Sequence, residues 1–355
     1  MNRFKSIIVL FLVFPFLLSP FLVCIVCAAE DSWVTLEPMP TARSGFGVAV
    51  VDEKIYAIGG QNYLTYFGTN EMYDPDTNAW AIKASVPTAR SNFGIAVVDN
   101  KIYVIGGGET TINEVYDPET DTWETKASMN IGRSGLSASV VDGKIYVICG
   151  HRGNPSYGVS AIEVYDPATD TWSVAKQIPI AVTAHASAVV DNKIYIIGGS
   201  LELTHNQIFD PKTNTWSTGA SLPVGVDSAA AGVITDSSGK QKICVIGGKK
   251  DLDAVDFNQI YDPESDTWSI GASMPTARLS LGIAVINNNL YVIGGVLGFT
   301  PEPVIATNEM YSLSDNSLDA LPWMPIAITI IVGTAITITG AIFYKKKLTK
   351  HQIRN

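Results

Sequence analysis

Four arginines stand at matching places in this chain. Three close the tetrapeptide "PTAR", at 40–43, 87–90 and 275–278, and the fourth closes "NIGR" at 130–133. A guanidinium offers planar, paired N–H donors, so Arg43, Arg90, Arg133 and Arg278 could together hold a carboxylate, a sulfate or an acidic peptide. The same recurrence fits a second role, in which each arginine pairs with a carboxylate or carbonyl of a neighbouring unit and braces the structure. Two further copies of the segment carry Val182 and Val226 at the arginine position. Other chemistries have thinner support. The run "DLDAVD" at 251–256 could hold calcium, yet it lacks the glycine and terminal glutamate of an EF-hand loop and reads as a solvated acidic tip. "GGGET" at 106–110 has no Lys-Ser/Thr behind it, so it is not a phosphate loop, and no Gly-x-Ser-x-Gly occurs. No cofactor or metal is expected.

The arginines are placed by a repeat. "VVDNKIYVIGG" at 97–107 returns as VVDEKIYAIGG at 50–60, VVDGKIYVICG at 140–150 and VVDNKIYIIGG at 189–199, and more loosely at 240–248 and 286–295. Tryptophans at 33, 80, 123, 172, 216 and 268 are spaced by 43 to 52 residues. Each period runs through an apolar stretch of small residues, a two-residue polar turn, "KIYVIGG", a variable loop and "NEVYDPETDTW" or a relative. β-Branched residues and tight turns make these segments strands, and Pro after Asp in "DPETD" suits a type I turn. Each period is thus a four-stranded antiparallel meander, with strands A to D. Gly, Ala and Ser in strand A suit crowding around an axis, and the aromatic seven residues before each Trp can fill the widening space between sheets.

The sixth period lacks its own Trp seven residues after Tyr311, whereas "SWVTLEPMP" at 32–40 is a strand D with no strands before it. The N-terminal strand therefore completes the last unit and closes a ring, which removes open sheet edges. Twin glycines, then Tyr, then Trp, at this period and in six copies across 33–315, resemble the Kelch repeat. That resemblance implies an all-β fold, a six-bladed Kelch β-propeller. Cys149 replaces the first glycine of one copy and Cys244 the strand-B tyrosine of another. With a blade between them they are expected to be buried thiols and not a disulfide.

Alternation of chain direction puts the A–B and C–D turns on one face and the B–C and D–A connections on the other. The second face carries the variable loops, "QNYLTYFGTN" and "HRGNPSYGVSA" among them, and the resemblance implies that it is used for partners. Tyr63, Tyr66 and Tyr157 join the four arginines as candidate ligand-binding residues there. Some proteins of this type are enzymes, notably galactose oxidase and N-acetylneuraminate epimerase. The copper-radical kind needs a Tyr crosslinked to Cys and two His ligands. His151, His185 and His205 all fall within the third and fourth repeats, with Cys149 near His151 in sequence and Tyr157 in the same loop, but Cys149 occupies a core glycine position. No catalytic residue is carried over.

The ends of the chain place the molecule. Arg3 and Lys5 precede an apolar run from Ile7 to Val26 and then "CAAED", the pattern of a signal peptide over 1–29, although the run is also long enough for an uncleaved anchor. Residues 325–344 are uncharged and flanked by Trp323, Tyr344 and "KKK" at 345–347, which reads as a transmembrane helix over 321–344 with a cytoplasmic basic tail at 345–355. The propeller then occupies 30–320. Seven of the 24 basic residues but none of the 34 acidic ones lie outside 30–322, leaving 17 basic against 34 acidic and a charge of −17 there. Nucleic acid and anionic membrane surfaces are thereby disfavoured as partners. No Asn-x-Ser/Thr sequon occurs, which leans toward a prokaryotic envelope. The expectation is a cell-membrane protein, single-pass with its tail inside, that recognises or adheres to a protein or glycan. A carbohydrate-active enzyme outside the cytoplasm and a structural surface-layer component are the alternatives.

Overall fold

The computed structural model describes residues 32–153, 157–200, 203–298 and 303–313. The signal-peptide and transmembrane expectations, at 1–29 and 321–344, and the tail at 345–355 lie outside the described residues. Among the described residues no helix is long and apolar enough to cross a membrane.

The strands follow the repeat. β1 (Ser32–Leu36) comes first. Blade 1 is β2 (Gly47–Val51), β3 (Lys54–Ile58), β4 (Asn70–Asp74) and β5 (Ala79–Lys83). Blade 2 is β6 (Gly94–Val98), β7 (Lys101–Ile105), β8 (Asn113–Asp117) and β9 (Thr122–Lys126). Blade 3 is β10 (Ser137–Val141), β11 (Lys144–Ile148), β14 (Ile162–Asp166) and β15 (Thr171–Ala175), with the small ribbon β12 (His151–Arg152) and β13 (Tyr157–Gly158) in its B–C loop. Blade 4 is β16 (Ala186–Val190), β17 (Lys193–Ile197), β18 (Asn206–Asp210) and β19 (Thr215–Thr218). Blade 5 is β20 (Ala230–Thr235), β21 (Gln241–Ile246), β24 (Asn258–Asp262) and β25 (Thr267–Ile270), with the ribbon β22 (Lys249–Lys250) and β23 (Asp253–Ala254). Blade 6 is β26 (Gly282–Ile286), β27 (Asn289–Ile293) and β28 (Asn308–Ser312), and its fourth strand is β1. Closure by the N-terminal strand is therefore as the missing tryptophan required. Ser32 pairs with Ser312 and Trp33 with Tyr311, in the register that sets Tyr73 opposite Trp80 and Tyr116 opposite Trp123.

The core is six seams rather than one centre. Each of six apolar clusters draws residues from two adjacent blades, as where Phe93, Ile102 and Tyr116 of blade 2 meet Ile58 and Tyr56 of blade 1. At the rim, every tryptophan of the six blades stacks obliquely on its paired aromatic, with ring centroids 4.9–5.2 Å apart. Each indole N–H also donates to a carbonyl of the preceding blade, at 2.7–3.1 Å. The strand-D tryptophan thus spans two blades, which explains its recurrence better than bulk alone.

At the hub the innermost strands meet in order, β2, β6, β10, β16, β20, β26 and back to β2. Above them runs a closed circle of six backbone hydrogen bonds. Asn92 N donates to Gly45 O, Gly135 to Asn92, Ala184 to Gly135, Ser228 to Ala184, Ser280 to Ser228, and Gly45 to Ser280, at 2.7–3.1 Å. All six residues have positive φ, from 52° to 64°, although three are Ala or Ser. Such a conformation costs an L-residue on the order of 1 kcal/mol, so the circle holds these positions against their own preference.

The second of each pair of glycines carries the next layer. The N–H groups of Gly60, Gly107, Gly150, Gly199, Gly248 and Gly295 donate to the carbonyls of Arg90, Arg133, Val182, Val226, Arg278 and Arg43, one blade on, at 2.9–3.1 Å. Gly60 has φ of 97°, and a Cβ there would stand 2.7 Å from Phe46 Cβ and 2.9 Å from Ser44 O. Gly60→Ala is expected to cost about 2 kcal/mol or more through strain and clash together. Urea denaturation of the variant beside the parent measures it.

Candidate functional site

The arginines do not open toward the channel mouth. Arg43, Arg133 and Arg278 are 0% exposed and Arg90 is 2% exposed, each enclosed within the blade whose strand A it precedes. Arg43 Nη1 donates to Glu71 Oε2 at 2.7 Å and its Nη2 to Ala57 O at 2.8 Å. Arg133 Nη2 donates to Glu163 at 3.0 Å, and Arg90 and Arg278 pair likewise with Glu114 and Glu309. Thr41, Thr88 and Thr276, from the same "PTAR" segments, donate their hydroxyls to the other carboxylate oxygen of Glu71, Glu114 and Glu309. Burial pulls each guanidinium's pKa down, and the paired glutamate opposes that shift. The guanidiniums are closed inside the wall, held on glutamate and backbone carbonyl oxygens, and the Nε of Arg43 and of Arg133, which have no partner, are buried as well. The ligand-binding expectation for Arg43, Arg90, Arg133 and Arg278 is corrected accordingly. The bracing alternative is closer, but the carboxylate belongs to the arginine's own blade, while its backbone carbonyl makes the link to the blade before.

The missed partners are the glutamates, and the sequence carried a signal for them. The second residue of strand C is Glu71, Glu114, Glu163 or Glu309 in the blades with arginine, and Gln207 or Gln259 in the blades with Val182 and Val226. Where the positive charge is lost, the negative one is lost with it. Gln207 Nε2 then donates to Ile180 O and its Oε1 accepts from Ile180 N, both at 3.0 Å, and Gln259 does the same with Val224. The carboxylates beside Arg90 and Arg133 are therefore structural partners, one to a blade.

The loop face presents a different surface. Tyr63 and Tyr66 are 46% and 56% exposed at the tip of the blade 1 B–C loop, beside Leu64 at 93%. Asn62 shapes that tip, its Oδ1 accepting the N–H groups of Leu64 and Thr65. Leu203 of blade 4, Leu252 of blade 5 and Leu297 of blade 6 are exposed at the matching tips. Exposed apolar side chains thus form an arc over four consecutive blades. Blades 2 and 3 are polar there, with the Gly153 N–H donating to the Glu109 carboxylate and His151 Nδ1 lying 2.8 Å from Thr183 Oγ1. Tyr157 joins the loop face through its backbone, which pairs with Arg152. Asp251 and Asp253 of the "DLDAVD" run are exposed at the turn of the β22–β23 ribbon. Among the described residues no group of three or more His, Cys, Asp and Glu is placed to hold a metal. Cys149 and Cys244 are buried and not joined by a disulfide, and burial pushes the Cys149 thiol up to about 11.

The turn face carries the acid. A groove of about 350 Å³ between blades 1 and 2 is lined by Asp52, Asp99, Asp117 and Glu119 around Lys101 and Tyr56. The lysine at the start of strand B, first in blades 1 to 3 and second in blade 5, is engaged by the aspartate of "YDP", as in Lys54–Asp74, Lys101–Asp117, Lys144–Asp166 and Lys242–Asp262, at 2.7–3.1 Å.

Comparison with known proteins agrees with this architecture. The KLHDC2/KLHL20/DRC7 Kelch-repeats domain family matches residues 26–150, and the Kelch motif family matches 132–177 and 181–223. Kelch-like protein 40 of Mus musculus is 32% identical over 104 residues, 28% of this chain and 16% of that protein. Kelch-like protein 15 of Danio rerio is 36% identical over 73 residues, 18% of this chain and 12% of that protein. The chain thus spans only a small part of the length of these relatives. The solved structure of YjhT superposes with a TM-score of 0.68 at 18% identity, covering 79% of this chain and 98% of that one, a likeness of fold. With six Trp-closed blades, the glycine pairs at their seams and two Kelch families matched over residues 26–177 and 181–223, this chain belongs to the Kelch-repeat β-propellers.

Proposed function

We propose that this protein is a membrane-anchored recognition module that binds a protein ligand outside the cytoplasm through its B–C and D–A loop face. The observation that carries the reading is the apolar arc from Leu203 through Leu252 and Leu297 to Tyr63, Leu64 and Tyr66. Tyrosine is enriched in protein interfaces, and exposed apolar side chains grouped on one face mark an interaction surface. Ser32, where β1 begins, and Ser312, where β28 ends, are paired on the turn face. The propeller's first and last strands therefore begin and end on the side away from the arc. Attachment at that side leaves the loop face free for a ligand, and the uncharged run at 325–344 is long enough to be the anchor.

Two experiments test this. Alkaline extraction and protease protection of intact cells should find the chain membrane-embedded with the propeller accessible from outside and the tail protected. Binding of the detergent-solubilised protein to cell surfaces should disappear after protease treatment of those surfaces and survive glycosidase treatment. Leu64→Ser with Tyr66→Ala is expected to weaken that binding at least ~10-fold while the melting temperature stays unchanged, because both side chains are exposed. Loss of binding after glycosidase alone, or chemical conversion of any sugar in a panel, overturns the reading.

A further inference from the structure

Four departures from the repeat meet at one seam, between blades 3 and 4. His185 stands where the other copies have Phe46, Phe93, Leu136, Ala229 and Leu281. Ser137 stands where they have glycine or alanine, Cys149 replaces the first glycine, and Val182 replaces the arginine. The first two touch, with His185 Nε2 2.8 Å from Ser137 Oγ across the seam. His185 is buried, and its Nδ1 has no hydrogen-bond partner. Around it lie Gly199, whose Cβ would meet the His185 Cβ at 2.9 Å, and the Thr183 carbonyl.

We propose that the blade 3–blade 4 seam is an acid-sensitive joint, at which protonation of His185 opens the ring while the other seams stay closed. An imidazolium needs two acceptors, and the Ser137 hydroxyl supplies only one. The ionisable groups toward the His185 end of this seam are the Cys149 thiol, the Tyr146 phenol, the His151 imidazole and the Arg133–Glu163 pair, while Asp142, Asp191, Lys193, Asp210 and Lys212 line a groove at its opposite, turn-face end. Burial keeps the thiol and phenol neutral. Glu163 is already occupied by Arg133 and by the N–H groups of Asn130 and Ile131. The surroundings of His185 therefore offer the imidazolium no uncommitted anion. Burial pulls the pKa of His185 from 6.5 to about 4. An opened seam returns the ring to its ordinary value and takes up a proton. Opening is thus indifferent to pH above 6.5, grows as pH falls below it, and levels off below about 4. Between pH 7.5 and pH 5 the opened population rises about 30-fold.

The two propeller cysteines report on this directly. Cys149 is buried at this seam, and Cys244 is buried at the blade 5–blade 6 seam as an internal control. The full chain in detergent is exposed to a dithiodipyridine, which labels thiols in acid, and each site is quantified by peptide mass. The ratio of Cys149 to Cys244 labelling is expected to rise about 30-fold from pH 7.5 to pH 5, and His185→Phe to remove the rise. If His185→Phe does not fold, His185→Leu, the residue at positions 136 and 281, serves the same purpose. His151→Gln should leave the rise intact. A ratio that does not change with pH, a rise that survives loss of His185, or a rise lost with His151→Gln overturns the proposal.

Discussion

Arg90→Val is expected to cost about 3–5 kcal/mol, because it leaves Glu114 charged inside the blade with only the Thr88 hydroxyl for company. Glu114→Gln should cost a similar amount by the converse route, leaving a guanidinium among the carbonyls of Thr88, Val104 and Gly106. The double variant is the decisive one. Arg90→Val with Glu114→Gln rebuilds the combination of Val182 with Gln207, in which a side-chain amide bonds the N–H and the C=O of one residue, Ile180, and no charge is buried. It should recover most of the loss, giving a coupling of several kcal/mol in a double-mutant cycle read by urea denaturation. Purely additive losses would mean that the glutamine arrangement depends on other features of blades 4 and 5.

Deleting residues 32–40 is expected to remove on the order of 6 kcal/mol or more, a large part of the stability of an ordinary domain. The deletion takes away the strand paired with β28, the half-buried Trp33 and Leu36, and the buried Met39. It also strips the edge of β28 and leaves a strand edge open to other chains. Thermal melting of the truncated propeller should be broad and accompanied by aggregation. A synthetic peptide covering 32–40 should partly restore a cooperative transition. Trp33→Ala should cost as much as Trp123→Ala, since both indoles stack on a tyrosine and donate across a seam, although only Trp123 is joined to its blade by a turn. An unchanged melting temperature on deletion would remove the closing role of β1.

Much of this fold is written in single residues. The tryptophan period gave the blades, and the lack of a Trp seven residues after Tyr311 gave the closing strand, because each blade needs one indole at that spacing, Trp323 lies twelve residues on, and Trp33 opens a strand with no blade before it. The arginines were harder. Taken alone, "PTAR" looks the same whether its guanidinium faces solvent or the interior, since what decides is a carboxylate some thirty residues away on another strand. Comparing each copy's strand C with its own D–A segment would have exposed the exchange of Arg and Glu for Val and Gln. Exposure of Tyr63 and Tyr66 was legible as a loop of uneven length, whereas the polar–apolar division of that face depends on which tips lie on neighbouring blades. The positive φ of Ala184, Ser228 and Ser280 left no mark in composition, because a long-range hydrogen bond imposes it on residues that do not favour it.

The circle of peptide groups at the hub also limits how this molecule can vary. In a line of six donors and acceptors one of each is left over at the ends, but here every N–H has a C=O and every C=O is used. A duplicated repeat inserted into the gene could enter only by cutting that circuit and reopening every angle in it to a new value. The hub is therefore a counting device: it tallies blades, and its tally stops at six.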